Sequence, residues 1–392
     1  MRLGVINGLR GIAILGVFLI HSFGDNISYK QSIAGQIAGT GWYGVYLFFM
    51  LSGFVLYLPF ADGSKINLVE FYSARAKRLY PLMLIAAFVC IAIYGGKPSS
   101  DPEFWKMLFK IPTTLFFFDV GGIPGNGAFW SLAVEIYLSL ALPILVYVMR
   151  RVAPWQFALS MVLAATAFKI AKSTGWISPP AGHGQYIMLL DLVVQALSDF
   201  LLGMAVAHYW KAGKIERFFR YPVITFAVAA VVILLLLISI NDVRSSNMAF
   251  GWRVFVWPTC DLLLAVMIAT ALTMRGGPIE FVLTSAPLQL IGMMCYSIYV
   301  WHMPLLGKIG NGSRVELEMA WYTLTNFAAI FVFSVLSYRF IEFPGRSLEQ
   351  LFLWPRQSRE RTELYQRTHA APQKAGSRSH APSCAACRAQ CR

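Results

Sequence analysis

The chain has 392 residues, of which 57% are hydrophobic and 13% are charged, and its formal net charge is +14. A soluble globular domain carries about 25% charged residues, so this composition excludes an ordinary soluble fold and indicates a membrane protein. Much of the basic excess lies in short turns and in the C-terminal tail. Basic residues at these places orient the transmembrane helices and attract anionic membrane lipids. Because this accounts for the positive charge, we expect no nucleic-acid binding.

Apolar runs of about 20 residues are long enough to cross the ~30 Å hydrocarbon core of a bilayer. They predict an all-α, polytopic membrane helix bundle of about ten transmembrane helices. The approximate spans are 5–23, 42–60, 79–95, 130–149, 155–171, 187–208, 222–240, 253–274, 288–306 and 320–341. The segment 104–118 is apolar but contains lysines and a proline, and we interpret it as an interfacial or re-entrant piece.

The positions of the basic residues predict the orientation. Short basic turns and the basic tail fall on one side of the predicted membrane, so by the positive-inside rule both termini are cytoplasmic. We expect residues 1–350 to form the membrane domain and residues 351–392 to form a disordered, basic cytoplasmic tail, because the tail is poor in aliphatic residues. A single CxxC pattern, Cys384 to Cys387, is too weak to predict a zinc site, and we expect no metal.

The first predicted helix carries two ionisable residues, Arg10 and His21. Eleven residues amount to about three helical turns, so both side chains lie on one face, roughly 16 Å apart along the axis. Ionisable residues within spans are costly and usually mark function. The alternative is that Arg10 extends to the membrane surface and that His21 is an ordinary interfacial residue.

The stretch FYSARAKRLYP, residues 71–81, places Arg75 and Arg78 three residues apart at the cytoplasmic end of the third predicted helix. Their guanidinium groups suit bidentate contact with phosphate. Ordinary anchoring of the helix by basic residues is the alternative.

The fourth predicted helix begins with FWSLAVEIY, which places Glu135 about a turn and a half into the bilayer. Trp130 and Ser131 fall near the same helix face. A carboxylate at this depth requires a proton or a basic partner. It therefore either forms an ion pair with Arg10 or Arg78, or acts with a histidine in proton transfer.

Two further groups lie near helix ends. Tyr299, Trp301 and His302 end the ninth predicted helix on the same side as His21, where they are either site residues or part of an aromatic belt. Arg339 and Glu342, near the end of the tenth predicted helix, are expected to form a structural ion pair.

Taken together, these residues resemble the type-3 membrane acyltransferase family of bacteria, which O-acylates cell-surface and secreted glycans and some small molecules. The matching pieces are the Arg10 to His21 pattern, GWYGVYLFFMLSGFVL, Arg75-x-x-Arg78 before Tyr80-Pro81, WSLAVE, CYSIYVWHMP and YRFIEFP. Cys295 stands where a serine is common in the family. Some members carry a soluble hydrolase-like domain after the last span; we expect none here, and we therefore expect the reaction to be completed within the membrane domain or with a partner.

The resemblance implies a multi-pass protein of the bacterial inner membrane that transfers an acyl group to a hydroxyl of a saccharide or glycolipid acceptor. Acyl-CoA, with acetyl-CoA as the expected donor, would place its phosphates against Arg75 and Arg78, with Arg10 deeper in the same path.

In the chemistry that the resemblance implies, His21 would act as general base or carry the acyl group transiently, and Glu135 would orient it or balance its charge. The supporting or substrate-contacting residues would be Trp130, Ser131, Tyr299 and His302. The acceptor, the acyl chain length and the oligomeric state are left open.

Two other classes of function are compatible with polar residues in spans. A transporter of a glycan or lipid-linked intermediate would move unmodified substrate without consuming a thioester, whereas an acyltransferase consumes it. An inactive membrane scaffold would not need Arg75, Arg78, His21 and Glu135 together.

Overall fold

The computed structural model describes residues 3–23, 32–96, 100–110, 123–177, 184–242, 249–309 and 316–344. Within these ranges the regular secondary structure is helical, without a β-strand, as the composition predicted. The helices are α1 (Leu3–Phe23), α2 (Ile33–Gly39), α3 (Gly44–Tyr57), α4 (Leu68–Tyr94), α5 (Pro102–Lys110), α6 (Phe129–Met149), α7 (Pro154–Ser173), α8 (Gly184–Lys211), α9 (Pro222–Asp242), α10 (Ala249–Thr273), α11 (Pro278–Leu283), α12 (Ala286–Met293), α13 (Cys295–Ile309) and α14 (Glu316–Ser337). A π-helical turn, Tyr338–Glu342, follows α14.

Eight helical segments in the described part of the chain are long and apolar enough to cross a membrane. The chain is therefore a multi-pass membrane protein. Two of the ten expected spans are not among the eight: one corresponds to α7, and the other is divided between α12 and α13. The total of ten spans and the cytoplasmic placement of both termini stay predictions, and the tail from residue 351 lies outside the described residues.

The centre of the bundle is held together by close backbone contact between α3 and α8. A methyl group at Gly203 of α8 would overlap the backbone oxygen of Met50 on α3, and one at Gly53 would overlap that of Phe200. Helices in a membrane associate by such close packing at small residues, since lipid offers no hydrophobic driving force. The two glycines therefore fix the position of α3.

Close backbone contact at glycines also joins α1 to α11 and α12. A methyl group at Gly292 would overlap the backbone oxygen of Asn7, and one at Gly8 would overlap that of Leu283. Because α12 lies so close, α1 cannot rotate. This packing holds the side chain of Arg10, three residues after Asn7, towards the interior of the bundle.

Helix α4 begins earlier than the apolar run from which it was predicted. Asn67 is its N-cap, and the side chain of Asn67 accepts a hydrogen bond from the backbone N–H of Glu70. Asparagine is a preferred residue at this position because it satisfies a free backbone donor. Arg75 and Arg78 therefore lie inside the helix rather than ahead of it, on a rigid backbone.

The short helix α5 covers the described half of the segment that we interpreted as interfacial. Phe104 is buried and packs edge-on against Phe88 of α4, whereas Trp105 and Phe109 are exposed. Residues 111–118 of this segment lie outside the described part of the chain.

Candidate active site

A cavity of about 370 Å³ lies among α1, α3, α4, α6, α12 and α13. The break between α12 and α13 at Met294 forms part of its wall, with Met293 and Cys295 on either side of the break among the lining residues. Irregular backbone at membrane depth is tolerated where it is buried in protein or lines such a cavity. Six of the residues predicted from the sequence line it: Arg10, Arg75, Arg78, Ser131, Glu135 and Tyr299.

Two of the three arginines are paired with carboxylates. Arg75 donates a hydrogen bond to Oε1 of Glu135 at 2.7 Å. Arg78 lies 3.2 Å from Oε2 of Glu342, whose side chain is 0% exposed and also accepts a hydrogen bond from Ser297. A buried carboxylate requires such partners. These pairs join α4 to α6 and to the π-helical turn.

The third arginine, Arg10, has no carboxylate partner of this kind. Among the described residues Arg10 forms no hydrogen bond or ion pair. The Nε atom of Arg75 is buried and has no hydrogen-bond partner among the described residues either. The cavity wall therefore carries one uncompensated positive charge and a free donor. A low-dielectric cavity with this charge attracts an anion.

The prediction that Arg339 pairs with Glu342 is wrong. Glu342 forms its ion pair with Arg78, while the guanidinium of Arg339 lies 5.6 Å from the ring centre of Phe340. The reason is the π-helical turn at Tyr338–Glu342. Because a π-turn takes more residues than an α-turn, side chains three residues apart no longer lie on one face, and Glu342 turns inward.

A hydrogen bond between α6 and α13 lies in the cavity wall. The hydroxyl oxygens of Ser131 and Tyr299 lie 2.5 Å apart, and each lies 3.0 Å from the carbonyl oxygen of Ala128. Beyond this bridge the ring of Tyr299 lies 5.2 Å from that of His302. The bridge therefore stands between the arginines and the histidines.

His21 and His302 lie side by side, with ring centres 5.0 Å apart. Nδ1 of His21 lies 2.8 Å from the carbonyl oxygen of Val17. Because a carbonyl oxygen only accepts, Nδ1 carries the hydrogen in the neutral ring, and Nε2 presents the lone pair. His21 is exposed and is not among the residues that line the cavity, whereas Ser131 and Tyr299 are.

Glu135 differs from its expected role beside His21. Its ion pair joins Arg75, one of the arginines, and it is His302 that lies beside His21. The sequence left the partner of Glu135 open between two arginines and a histidine, and the actual partner is neither Arg10 nor Arg78.

The two tryptophans predicted near these helix ends, Trp130 and Trp301, each contact a neighbouring helix. Trp130 packs edge-on against Phe49, a cavity residue, at 6.3 Å between ring centres. Trp301 donates from Nε1 to Ser337 on α14 at 2.7 Å and thereby anchors α13.

Sequence reasoning missed a second polar cluster inside the bundle. Asp261 on α10 accepts hydrogen bonds from Tyr43 at 2.5 Å and from Gln195 on α8 at 2.6 Å, and Asp199 is buried close by. Lys169 donates to Gln195 at 2.8 Å. The sequence did indicate this cluster, because Asp199 and Asp261 each lie within a predicted transmembrane span, where ionisable residues are costly.

The described residues contain no group of three or more histidine, cysteine or acidic side chains that could hold a metal ion. The site is thus built from arginines, carboxylates, hydroxyls and imidazoles.

The fold and the cavity define a class: a multi-pass membrane protein with an arginine-lined chamber inside its helix bundle. The chain belongs to the acyltransferase family, since the family model described as "Acyltransferase domain" matches residues 3–339.

Three curated relatives illustrate the similarity. "Peptidoglycan O-acetyltransferase OatA" of Listeria monocytogenes serovar 1/2a is 26% identical over 365 residues, covering 87% of this chain and 55% of the relative. "Putative peptidoglycan O-acetyltransferase YrhL" of Bacillus subtilis is 24% identical over 364 residues, covering 87% and 54%. A "Putative O-acetyltransferase" of Staphylococcus aureus (strain COL) is 22% identical over 363 residues, covering 87% and 57%.

The chain spans about half the length of these curated relatives. No solved structure matches it.

Proposed function

We propose that the protein transfers an acetyl group from acetyl-CoA, bound at the arginine end of the cavity, to a hydroxyl of a saccharide bound beside His21. The observation that carries this proposal is the arrangement of the cavity. Three arginines line it, one without a carboxylate partner, and its opposite end adjoins two imidazoles through Tyr299.

The charge at the arginine end of the cavity supports an anionic donor. Arg10 and the unpaired Nε of Arg75 offer hydrogen-bond donors to phosphate or to the thioester carbonyl, and arginine is well suited to both. Arg78 is held by Glu342, which keeps its guanidinium in place at the cavity wall. The donor is therefore a substrate with negative charge at one end, as acyl-CoA has.

The tautomer of His21 supports its role as the general base. Its Nδ1–H donates to Val17, so Nε2 can remove the proton of an alcohol. The alcohol oxygen then bonds to the thioester carbonyl carbon, the carbon–sulfur bond breaks, and the proton ends on the sulfur. This direct transfer needs one base, and a covalent acyl-histidine is the alternative.

The thioester reaches His21 from the arginine end only if the hydrogen bond between Ser131 and Tyr299 breaks or the ring of Tyr299 turns. The Ser131 hydroxyl lies on α6 and the Tyr299 hydroxyl on α13, so a change of the Tyr299 rotamer is enough to break their hydrogen bond. Residues near the bridge thereby control access of the thioester to His21.

A saccharide acceptor is supported by two of the relatives, whose names include peptidoglycan as the group that is acetylated. A saccharide hydroxyl suits the exposed position of His21, at the end of α1 remote from the arginines. We place the protein in the bacterial inner membrane, with the donor on the cytoplasmic side.

The test uses purified protein with labelled acetyl-CoA and muramidase-released peptidoglycan fragments. The proposal expects free CoA and acetylated fragments in equal amounts, and none from His21→Ala. Movement of unmodified fragments across a vesicle membrane without loss of acetyl-CoA would instead indicate a transporter. Mass comparison of the surface glycans of a deletion strain then identifies the natural acceptor.

A further inference from the structure

The buried imidazole of His302 has no role in the mechanism above. Its side chain is 0% exposed, on α13, and its ring lies between those of His21 and Tyr299. A buried histidine in this position calls for an explanation in terms of its two nitrogen atoms.

The tautomer of His302 follows from its neighbours. Nδ1 lies 2.5 Å from the carbonyl oxygen of Tyr299, one turn earlier in the same helix. Since the carbonyl only accepts, Nδ1 carries the hydrogen, and in the neutral ring Nε2 carries a lone pair. Nε2 is the ring nitrogen farther from the helix backbone.

That lone pair is buried and has no hydrogen-bond partner in the part of the chain that the structure describes. Buried polar atoms in native proteins are nearly always paired, so this acceptor is available to a hydrogen-bond donor on a neighbouring group. The ring next to it is that of the proposed base, His21.

We propose that His302 is a positioning residue for His21: its neutral Nε2 accepts a hydrogen bond from the Nε2–H of the imidazolium that His21 becomes on taking the acceptor proton, until that proton passes to the leaving sulfur. Glu135 does not fill this place, because it is bound to Arg75. His302 gains and loses no proton in the cycle. The proton moves from the alcohol to His21 and then to the leaving sulfur.

This inference rests on the proposed function, and two amide variants test it. His302→Asn keeps a donor near the position of Nδ1, so it preserves the bond to Tyr299 and loses the acceptor. His302→Gln places its amide oxygen near the position of Nε2, so it preserves the acceptor and loses the bond to Tyr299. The two variants therefore separate the two roles of the ring.

We expect His302→Asn to lower kcat on the order of 10- to 100-fold, the range for one hydrogen bond to a charged group. The KM values for acetyl-CoA and for peptidoglycan fragments should stay unchanged. His302→Gln should recover a large part of kcat although it loses the internal bond. Size-exclusion profiles and acetyl-CoA affinity show that each variant is folded.

A purely structural role predicts the reverse order, with His302→Asn the more active of the two, and that order would overturn the proposal. So would full activity in both variants. His208→Asn is the matched control, because His208 hydrogen bonds to Tyr57 elsewhere in the bundle and should retain wild-type kinetics. If His21→Ala is also active, the proposed function itself fails. An inactive His21→Ala with a fully active His302→Asn rejects only the role of His302.

Discussion

Arg75 on α4 donates a 2.7 Å hydrogen bond to Glu135 on α6, so the two ionisable residues that the sequence placed on separate predicted helices form one ion pair at the cavity wall. The pair is largely buried, with 16% and 23% of the two side chains exposed. Its carboxylate holds one of the three cavity arginines and neutralises its charge.

The coupling between these two residues is measurable. In a double-mutant cycle with Arg75→Gln and Glu135→Gln, we expect an interaction free energy of about 1–3 kcal/mol, because each single change leaves its partner unpaired in a mostly buried place. Unfolding in mixtures of mild detergent and SDS gives the four free energies. The exposed pair of Lys106 and Glu103 is the matched control and should show no measurable coupling. Additive single effects at Arg75 and Glu135 would show that the pair is incidental.

Neutralising the unpaired arginine should weaken donor binding without changing the chemical step. Arg10→Gln is expected to raise KM for acetyl-CoA roughly tenfold or more and to leave kcat nearly unchanged, since a charge-assisted hydrogen bond is lost in ground and transition state alike. Steady-state rates of CoA release measure both constants. Arg275→Gln, in an exposed pair with Glu216, should change neither. An unaltered KM in Arg10→Gln would remove this residue from the donor site.

Changing Arg78 should affect stability more than changing Arg10 does. Arg78→Gln leaves the 0% exposed carboxylate of Glu342 without its cation, which costs about 3–5 kcal/mol for a buried pair. The melting temperature in detergent should fall, and adding Glu342→Gln should restore most of it. If Arg78→Gln and Arg10→Gln melt at the same temperature, Glu342 does not depend on Arg78.

The hydroxyl bridge at the end of the cavity should limit wasteful hydrolysis. Tyr299→Phe removes the bond to Ser131 and should raise acetyl-CoA hydrolysis in the absence of acceptor, because water reaches the thioester more easily. Ser131→Ala breaks the same bond from the other side and should act alike. Rates of CoA release with and without peptidoglycan fragments give the ratio. An unchanged ratio in both variants would show that the bridge does not separate thioester from water.

Much of the fold and of the site could be predicted from local sequence. The apolar runs predicted a multi-pass helical bundle, and periodicity placed Arg10 and His21 on the first helix and Trp130, Ser131 and Glu135 on another. These predictions depend only on helix geometry and on the cost of burying charge. They succeeded because those two effects act on each helix by itself.

The pairing of charges could not be predicted, because it depends on which helices become neighbours. Glu135 had several basic candidates, and only the packing of α4 against α6 selects Arg75. Arg339 was the nearest cation to Glu342 in the sequence, but the π-helical turn directs Glu342 to Arg78 instead.

The break between α12 and α13 could not be predicted from the sequence either, because the stretch from Leu290 to Leu306 is one apolar run. The contact between Gly292 and the backbone of α1 holds α12 in place just before the break. In the sequence, the only sign of such close backbone contact is a glycine within a predicted helix, and that sign is weak.

Sealed proteoliposomes test the central claim, that a thioester supplied at the arginine end is transferred at His21 at the opposite end. Labelled acetyl-CoA is enclosed inside, peptidoglycan fragments are added outside, and label on the outer fragments is counted for vesicles of known protein orientation. We expect labelled fragments with the wild-type protein and with the control His208→Ala, and none with His21→Ala. Equal labelling by His21→Ala, or labelling only when donor and acceptor share one side, would contradict it.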